Sequence, residues 1–462
     1  MKQMPDEHNN VALSKFEAML KTNEVYFFDS QEFEDIIHHY LDAGKKSLAH
    51  KAISLGLEQH PTSVTLKLLL AELLIFDEKL EEANKILKQV YAIEPTNDEI
   101  YILKSSILSK QFKHEKAIEY LKIGLQYSEE PADLYSLIGM EYLHMDSFDE
   151  ARENFKKCLE IDVEDYPSLY NVIYCFDMQN KQEEAITYLL EFIDRDPYSE
   201  IAWHQLGRQY YTIKKYEEAL RAFDYAVIID EFFVGGYLEK AKTLEKLEQF
   251  EIAIDNYLIA LELDDPSAFA FFRIGECYMK MGKMDDAFQF FKKTVNQDPV
   301  LDKGWYQMAD ICCRREDYHS ALYYINRAIQ IDEVTSIYWR KYAEINLRLN
   351  FYEESITAFQ KCIDLQDNTE EIWLGLADVL LFIGEFDHAM EILLRSQKYL
   401  KEHSGVSIRL SGVYFLANEF VVGKKYLKEA LTLNKEESKI FRLIFPSVVV
   451  NEDVQKILKI FE

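Results

Sequence analysis

Reactive side chains crowd one short run, Trp203 to Phe223, WHQLGRQYYTIKKYEEALRAF, with a His, two Gln, two Arg and four Tyr or Trp. Such groups can move protons, hold anions or stack on rings, so the run reads first as a place for chemistry. A second candidate is LDAGKKSL, Leu41 to Leu48, which contains the Gly-Lys-x-Ser fragment of a phosphate loop. A phosphate loop also needs an upstream glycine and a strand leading into it. Gly44 instead stands between two helical patterns, where a turn is expected. Of the 11 His only His38 and His39 are close together, and neighbours on a helix point about 100° apart, poorly placed to share one ion. The six cysteines, Cys158, Cys175, Cys277, Cys312, Cys313 and Cys362, show neither a CxxC pair nor zinc spacing. No HExxH and no Gly-x-Ser-x-Gly is present. With 81 acidic residues, close carboxylates arise by accident and signal nothing. The expectation is a protein that is not an enzyme, with no catalytic residue, no metal and no cofactor.

The elements that must position these residues follow from composition and period. The chain has 462 residues, 48% of them hydrophobic and 14% aromatic, with only 15 Gly and 9 Pro, which points to a helical protein with a substantial core. A net charge of -29 argues against a nucleic-acid backbone or an anionic membrane as primary partner. No apolar run approaches a membrane span and the first residues, MKQMPDEHNN, lack a signal-like apolar region. Isolated cysteines on helical patterns suit a reducing compartment, so a cytoplasmic location is expected.

Self-similarity then organises the whole chain. Stepping by 34 residues from Ala219 reaches Ala49, Ala83, Ala117, Ala151, Ala185, Ala253, Ala287, Ala321, Ser355, Ala389 and Gly423, all small, without insertion or deletion. Four residues beyond each lies a bulky apolar residue, such as Leu87, Phe155, Phe223, Phe291 and Ile325. Twelve residues before each lies a second small position, including Ala71, Gly139, Gly207, Gly275 and Ala309, with Ile37 and Ile173 as exceptions. Two helices per period, touching at the small residues, explain the pattern, and the large residue fills the space beside the contact. Pro61, Pro95, Pro131, Pro167, Pro197, Pro266 and Pro299 all fall at joints between periods, where they interrupt no helix.

Trp203, Leu206, Gly207, Tyr210, Ala219, Phe223 and Ala226 carry the pattern W-x2-L-G-x2-Y followed by A-x3-F-x2-A. In this the chain resembles the tetratricopeptide repeat. The resemblance implies an all-α fold, a right-handed α-solenoid or superhelix of antiparallel helix pairs with helix A lining the concave face. Twelve repeats are expected over residues 30–437, starting at 30, 64, 98, 132, 166, 200, 234, 268, 302, 336, 370 and 404. Residues 1–29 are read as an N-terminal segment with a capping helix (Leu13, Phe16, Met19 and Leu20 on one face), and 438–462 as two short capping helices split by Pro446.

In the family, positions 2, 5, 6, 9 and 12 of helix A face the groove and vary with ligand. Repeats one to four carry Glu34, Asp35, Glu72, Glu99 and Asp133 there, with an apolar stripe of Leu68, Leu69, Ile102, Leu103, Leu137 and Met140. That stripe should be covered, by tight packing of the helices together with the N-terminal segment. Repeats five to ten place Arg208, Lys242, Arg273, Lys303, Arg340 and Lys341 against Glu239, Glu276, Asp310 and Glu344. Amides (Asn171, Gln205, Gln307), aromatics (Tyr170, Tyr174, Tyr211, Phe272, Tyr306) and His204 are interleaved with them. The family's clamp for a chaperone carboxylate is not reproduced: Arg273 matches one element, but Phe269 stands where a lysine belongs. The asparagine ladder of the related sugar transferase is absent as well.

The expected function is a non-catalytic scaffold whose concave groove holds a partner's peptide or helix, with amides on the backbone, cations on carboxylates and aromatics as apolar pockets. Pairing of facing charges such as Arg273 and Glu239 along the groove is the competing, purely structural explanation. A structural homodimer is the leading alternative function, and RNA binding a more distant one. On the groove reading, charge reversal at Arg208 and Arg273 should abolish partner capture and leave melting unchanged.

Overall fold

The computed structural model describes residues 7–22 and 26–461, and among these every regular element is a helix. Two bodies, Met1–Glu231 and Phe232–Glu462, each have their own dense internal packing. From Ser30 to Leu433 the helices come in pairs, A then B, with each A helix of 13 or 14 residues. Repeat six, for example, consists of helix A Glu200–Thr212 and helix B Tyr216–Ile229. The fold is thus all-α, a solenoid of antiparallel helix pairs within each body.

The pairing is set by volume. Gly207 of helix A faces Phe223 of helix B so closely that a Cβ there would lie 2.6 Å from the ring. Gly139 meets Phe155 at 2.7 Å and Gly275 meets Phe291 at 2.6 Å in the same way. In repeats two and nine the small residue is Ala71 or Ala309, both fully buried, and the residue four beyond Ala83 or Ala321 is the smaller Leu87 or Ile325. Pro131 and Pro167 sit in the first turn of their helices, where no backbone donor is lost.

Helix A ends the same way each time. The residue at position 15 has positive φ, between 55° and 86°, at all twelve places: Gly44, Glu78, Phe112, Asp146, Asn180, Lys214, Glu248, Gly282, Glu316, Asn350, Gly384 and Asn418. Gly44 therefore belongs to a left-handed helix-ending turn, with helices Ser30–Asp42 and Lys46–Gln59 on either side and no strand before it. Helix B then commonly starts on an uncapped lysine (Lys79, Lys113, Lys181, Lys215), and carboxylates in its first turn face the helix dipole instead.

A second recurring tie uses position 4 of helix A. Trp203 Nε1 donates to the Pro197 carbonyl at 3.0 Å, Trp305 to Pro299 at 3.0 Å, Trp339 to Glu333 at 2.8 Å, and the Tyr101 hydroxyl to Pro95 at 2.8 Å. Each bond fastens a helix A to the turn that precedes it.

At the N-terminal end helix Glu7–Thr22 lays Phe16 against Phe28, Phe33 and Tyr40, with ring centroids 6.0–6.2 Å apart. Leu69 closes the same core cluster, Leu68 and Leu103 close the next one, and Ile102 and Leu137 pack half-buried on a third. The chain's own helices thus cover the apolar stripe except at Met140, which stays 38% exposed. Beyond Leu433 three helices follow where two were expected: Glu437–Ile444, the single turn Pro446–Val449, and Glu452–Phe461.

Candidate functional site

In the N-terminal body the face to inspect is made by helix A of repeat five (Tyr166–Met178) and of repeat six (Glu200–Thr212), which touch. Tyr170 and Tyr174, one turn apart, are 40% and 47% exposed, and Asn171 lies half-buried beside them. Arg208 is exposed, and among the described residues its guanidinium makes only one long bond, 3.4 Å, to Gln205 Oε1. Gln205 itself is buried, with Nε2 lacking a partner among the described residues. His204 turns into the helix-pair contact, its ring 5.7 Å from that of Phe223, and Tyr211 leans half-buried on Tyr216 at 5.4 Å. Of the four groove residues expected in repeat six, Arg208 is the one exposed to solvent.

The C-terminal body treats its cations differently. Lys242 is held by Glu239 at 2.7 Å within one helix. Arg273 is clamped: Nε donates to Glu245 Oε1 at 3.0 Å, a second guanidinium nitrogen bonds Glu245 Oε2, and the third bonds Glu276 Oε2 at 2.6 Å. The Tyr257 hydroxyl donates to Glu245 Oε1 at 2.6 Å and completes the cluster. Burial works against the charged guanidinium, but bonding to this cluster outweighs it and holds Arg273 above its ordinary range. Burial also pushes the adjacent Cys277 thiol up to about 12, so it is no nucleophile at neutral pH. Arg273 thus pairs with Glu245 rather than Glu239, and it is part of the architecture. Reversing its charge breaks a buried pair, so the expectation of unchanged melting does not hold for this residue.

Lys341 is spoken for in the same manner, at 3.0 Å from Asp310 and 3.4 Å from Glu344, while Arg314 takes the other Asp310 oxygen at 2.9 Å. Tyr306 packs on Tyr338 at 5.3 Å and Phe272 on Phe291 at 5.6 Å, both half-buried. Gln307 is half-buried. Arg340, also half-buried, and the exposed Lys303 have no carboxylate within 4.0 Å among the described residues. A cleft of about 500 Å³ opens beside this group, lined by Cys313, Tyr318, Glu344, Ile345, Leu347 and Arg348.

Glu245 and Tyr257 were not legible as site residues. Glu245 stands at groove position 12, where a carboxylate gives no hint that it reaches an arginine 28 residues on. Among the described residues no helix is long and apolar enough to cross a membrane.

Equal helix pairs joined by identical left-handed turns define a helical-repeat protein. Family models described as tetratricopeptide repeat match residues 98–130, 132–164 and 269–299, and the chain is a tetratricopeptide-repeat protein. It is similar to protein bimA of Emericella nidulans, 25% identical over 193 residues, which covers 41% of this chain and 23% of that one. Anaphase-promoting complex subunit 3 of Schizosaccharomyces pombe is 21% identical over 204 residues, covering 44% and 31%. The chain therefore spans between about a quarter and a third of these relatives. Among solved structures the Cut9–Hcn1 hetero-tetramer of the same complex is similar over 88% of this chain and 93% of that one, with 15% identity and a TM-score of 0.38. Relatives built from these repeats are in general protein-interaction scaffolds.

Proposed function

We propose that this chain is a non-catalytic scaffold that binds an extended or helical segment of a partner protein on the helix-A face of repeats five and six. The carrying observation is the trio Tyr170, Tyr174 and Arg208: two exposed rings and an arginine with no carboxylate within 4.0 Å among the described residues, on two touching helices. Such a trio suits a segment that offers an apolar side chain beside a carboxylate. In the C-terminal body Lys303, Arg340 and the cleft at Arg348 extend the same chemistry, whereas Lys242, Arg273 and Lys341 serve the fold. The reading takes residues 30–437 as twelve repeats capped by 1–29 and 438–462, and places the protein in the cytoplasm, which its six free thiols support.

Panning a random dodecapeptide library on the full chain tests this. Selected peptides should carry Asp or Glu next to an apolar residue. Arg208→Glu and Tyr174→Ala should each weaken them at least about tenfold, roughly 1.4 kcal/mol, with unchanged melting. Full retention of affinity in both variants overturns the reading. Self-association is the second reading, favoured by the exposure of Leu443, Val450 and Ile460 (81%, 74% and 74%) on the last helices and the turn between them. A monomeric mass by light scattering at micromolar concentration removes it.

A further inference from the structure

Within each body the turns between helices A and B form one edge of the repeats, and the chain's own periodicity says what that edge normally carries. At position 16, the residue just before helix B, six repeats have lysine: Lys45, Lys79, Lys113, Lys181, Lys215 and Lys283. Position 18 is acidic in every repeat from two to eleven except nine, where it is His319. The usual edge is therefore solvated and of mixed charge, as any exposed turn needs to be.

Repeats ten to twelve depart from this rule in two ways at once. Phe351 replaces the lysine in repeat ten, and Val421 replaces the acid in repeat twelve. Phe382 at position 13 of repeat eleven stands where repeats seven to ten have Lys246, Lys280, Arg314 and Arg348. These side chains are not tucked away: Phe351, Phe382 and Val421 are 43%, 73% and 85% exposed. Phe386 and Phe420, the first residues of helices Phe386–Ser396 and Phe420–Leu433, add 40% and 41% exposed rings beside them. The Tyr352 and Phe382 rings lie 5.1 Å apart and join the edge of repeat ten to that of repeat eleven. The lysines have meanwhile become Glu385 and Glu419, so the apolar surface is bordered by carboxylates that no row of lysines balances.

We propose that the A–B turns of repeats ten to twelve are a docking edge for a basic amphipathic helix of a partner protein. Apolar side chains on one face of that helix cover Phe382, Phe386 and Val421. Its lysines or arginines meet Glu385, Asp387 and Glu419, and acidic partners are repelled. The edge lies within the C-terminal body and shares no residue with the groove trio.

The test uses the full chain and two labelled 18-residue probes, a helix of leucine and lysine at amphipathic spacing and its leucine–glutamate counterpart, read by fluorescence anisotropy. The variant Phe351→Lys/Phe382→Lys/Val421→Glu restores residues the chain itself uses at these positions on other repeats. The leucine–lysine probe should bind the parent chain at least tenfold more tightly than this variant, with the same circular dichroism and melting in both proteins. The leucine–glutamate probe should not bind, and Arg208→Glu should leave the leucine–lysine affinity unchanged, which separates this edge from the groove. Equal affinity for parent and variant overturns the proposal, as does no binding to the parent chain. A parent dimer that the triple variant dissolves also overturns it, by assigning the edge to a second copy.

Discussion

Arg273 shows how a residue of the right type at a ligand-facing position can be consumed by the fold. Its charge meets Glu245, itself 6% exposed, and the Tyr257 hydroxyl ties the carboxylate to a third helix. Among the described residues, removing Arg273 leaves Glu245 buried with only the Tyr257 hydroxyl on it, a loss of about 3–5 kcal/mol. Removing Glu245 leaves the half-buried Arg273 to Glu276, whereas replacing both with apolar residues is close to neutral. Arg273→Met and Glu245→Met should therefore each shift the urea transition of the C-terminal body strongly, and the double variant should recover most of the loss. An additive double variant would contradict the pair's being a single unit. Arg208 is the opposite case: among the described residues no charged group holds it, so its removal should be felt by a ligand and not by the fold.

At the scale of helices and turns, the 34-residue period made the helix pairs readable, because close packing is a volume constraint that one chain records many times. Gly139 with Phe155, Gly207 with Phe223 and Gly275 with Phe291 are the same contact written three times. The left-handed turn was hidden for the converse reason. Position 15 is Gly in three repeats and Asn in three, but Glu, Phe, Lys or Asp elsewhere, so no residue type marks it although its backbone never changes. A side chain in that conformation costs about 1 kcal/mol relative to glycine. Phe112→Gly and Lys214→Gly should accordingly each stabilise the protein by about 0.5–1.5 kcal/mol, seen as a higher urea midpoint with unchanged slope. Destabilisation in both would mean that these side chains supply more than the turn requires. The groove was only half readable: helical period assigns a face, but whether a cation on that face is free depends on carboxylates one repeat away.

Across the whole molecule the charge balance is lopsided, with 81 acidic against 52 basic residues. Many cations are drawn into local pairs, among them Lys181 with Asp149 and Lys424 with Asp453, and the surplus carboxylates repel one another over the surface. Salt weakens both effects, but exposed pairs contribute little and the surplus is large. Raising sodium chloride from about 20 to 300 mM, which cuts the screening length severalfold, should therefore raise the melting temperature. A fall would mean that the paired ions dominate.

The tie between position 4 and the preceding turn has one more consequence, an optical one. The chain's four tryptophans, Trp203, Trp305, Trp339 and Trp373, all occupy position 4, and three of them hydrogen-bond across a repeat joint. Indole emission is thus a set of strain gauges glued to joints, three of the four in the C-terminal body and none before repeat six. Far-ultraviolet dichroism weighs every helix alike. The offset between the two signals during melting measures which end of the array lets go first, with no label added.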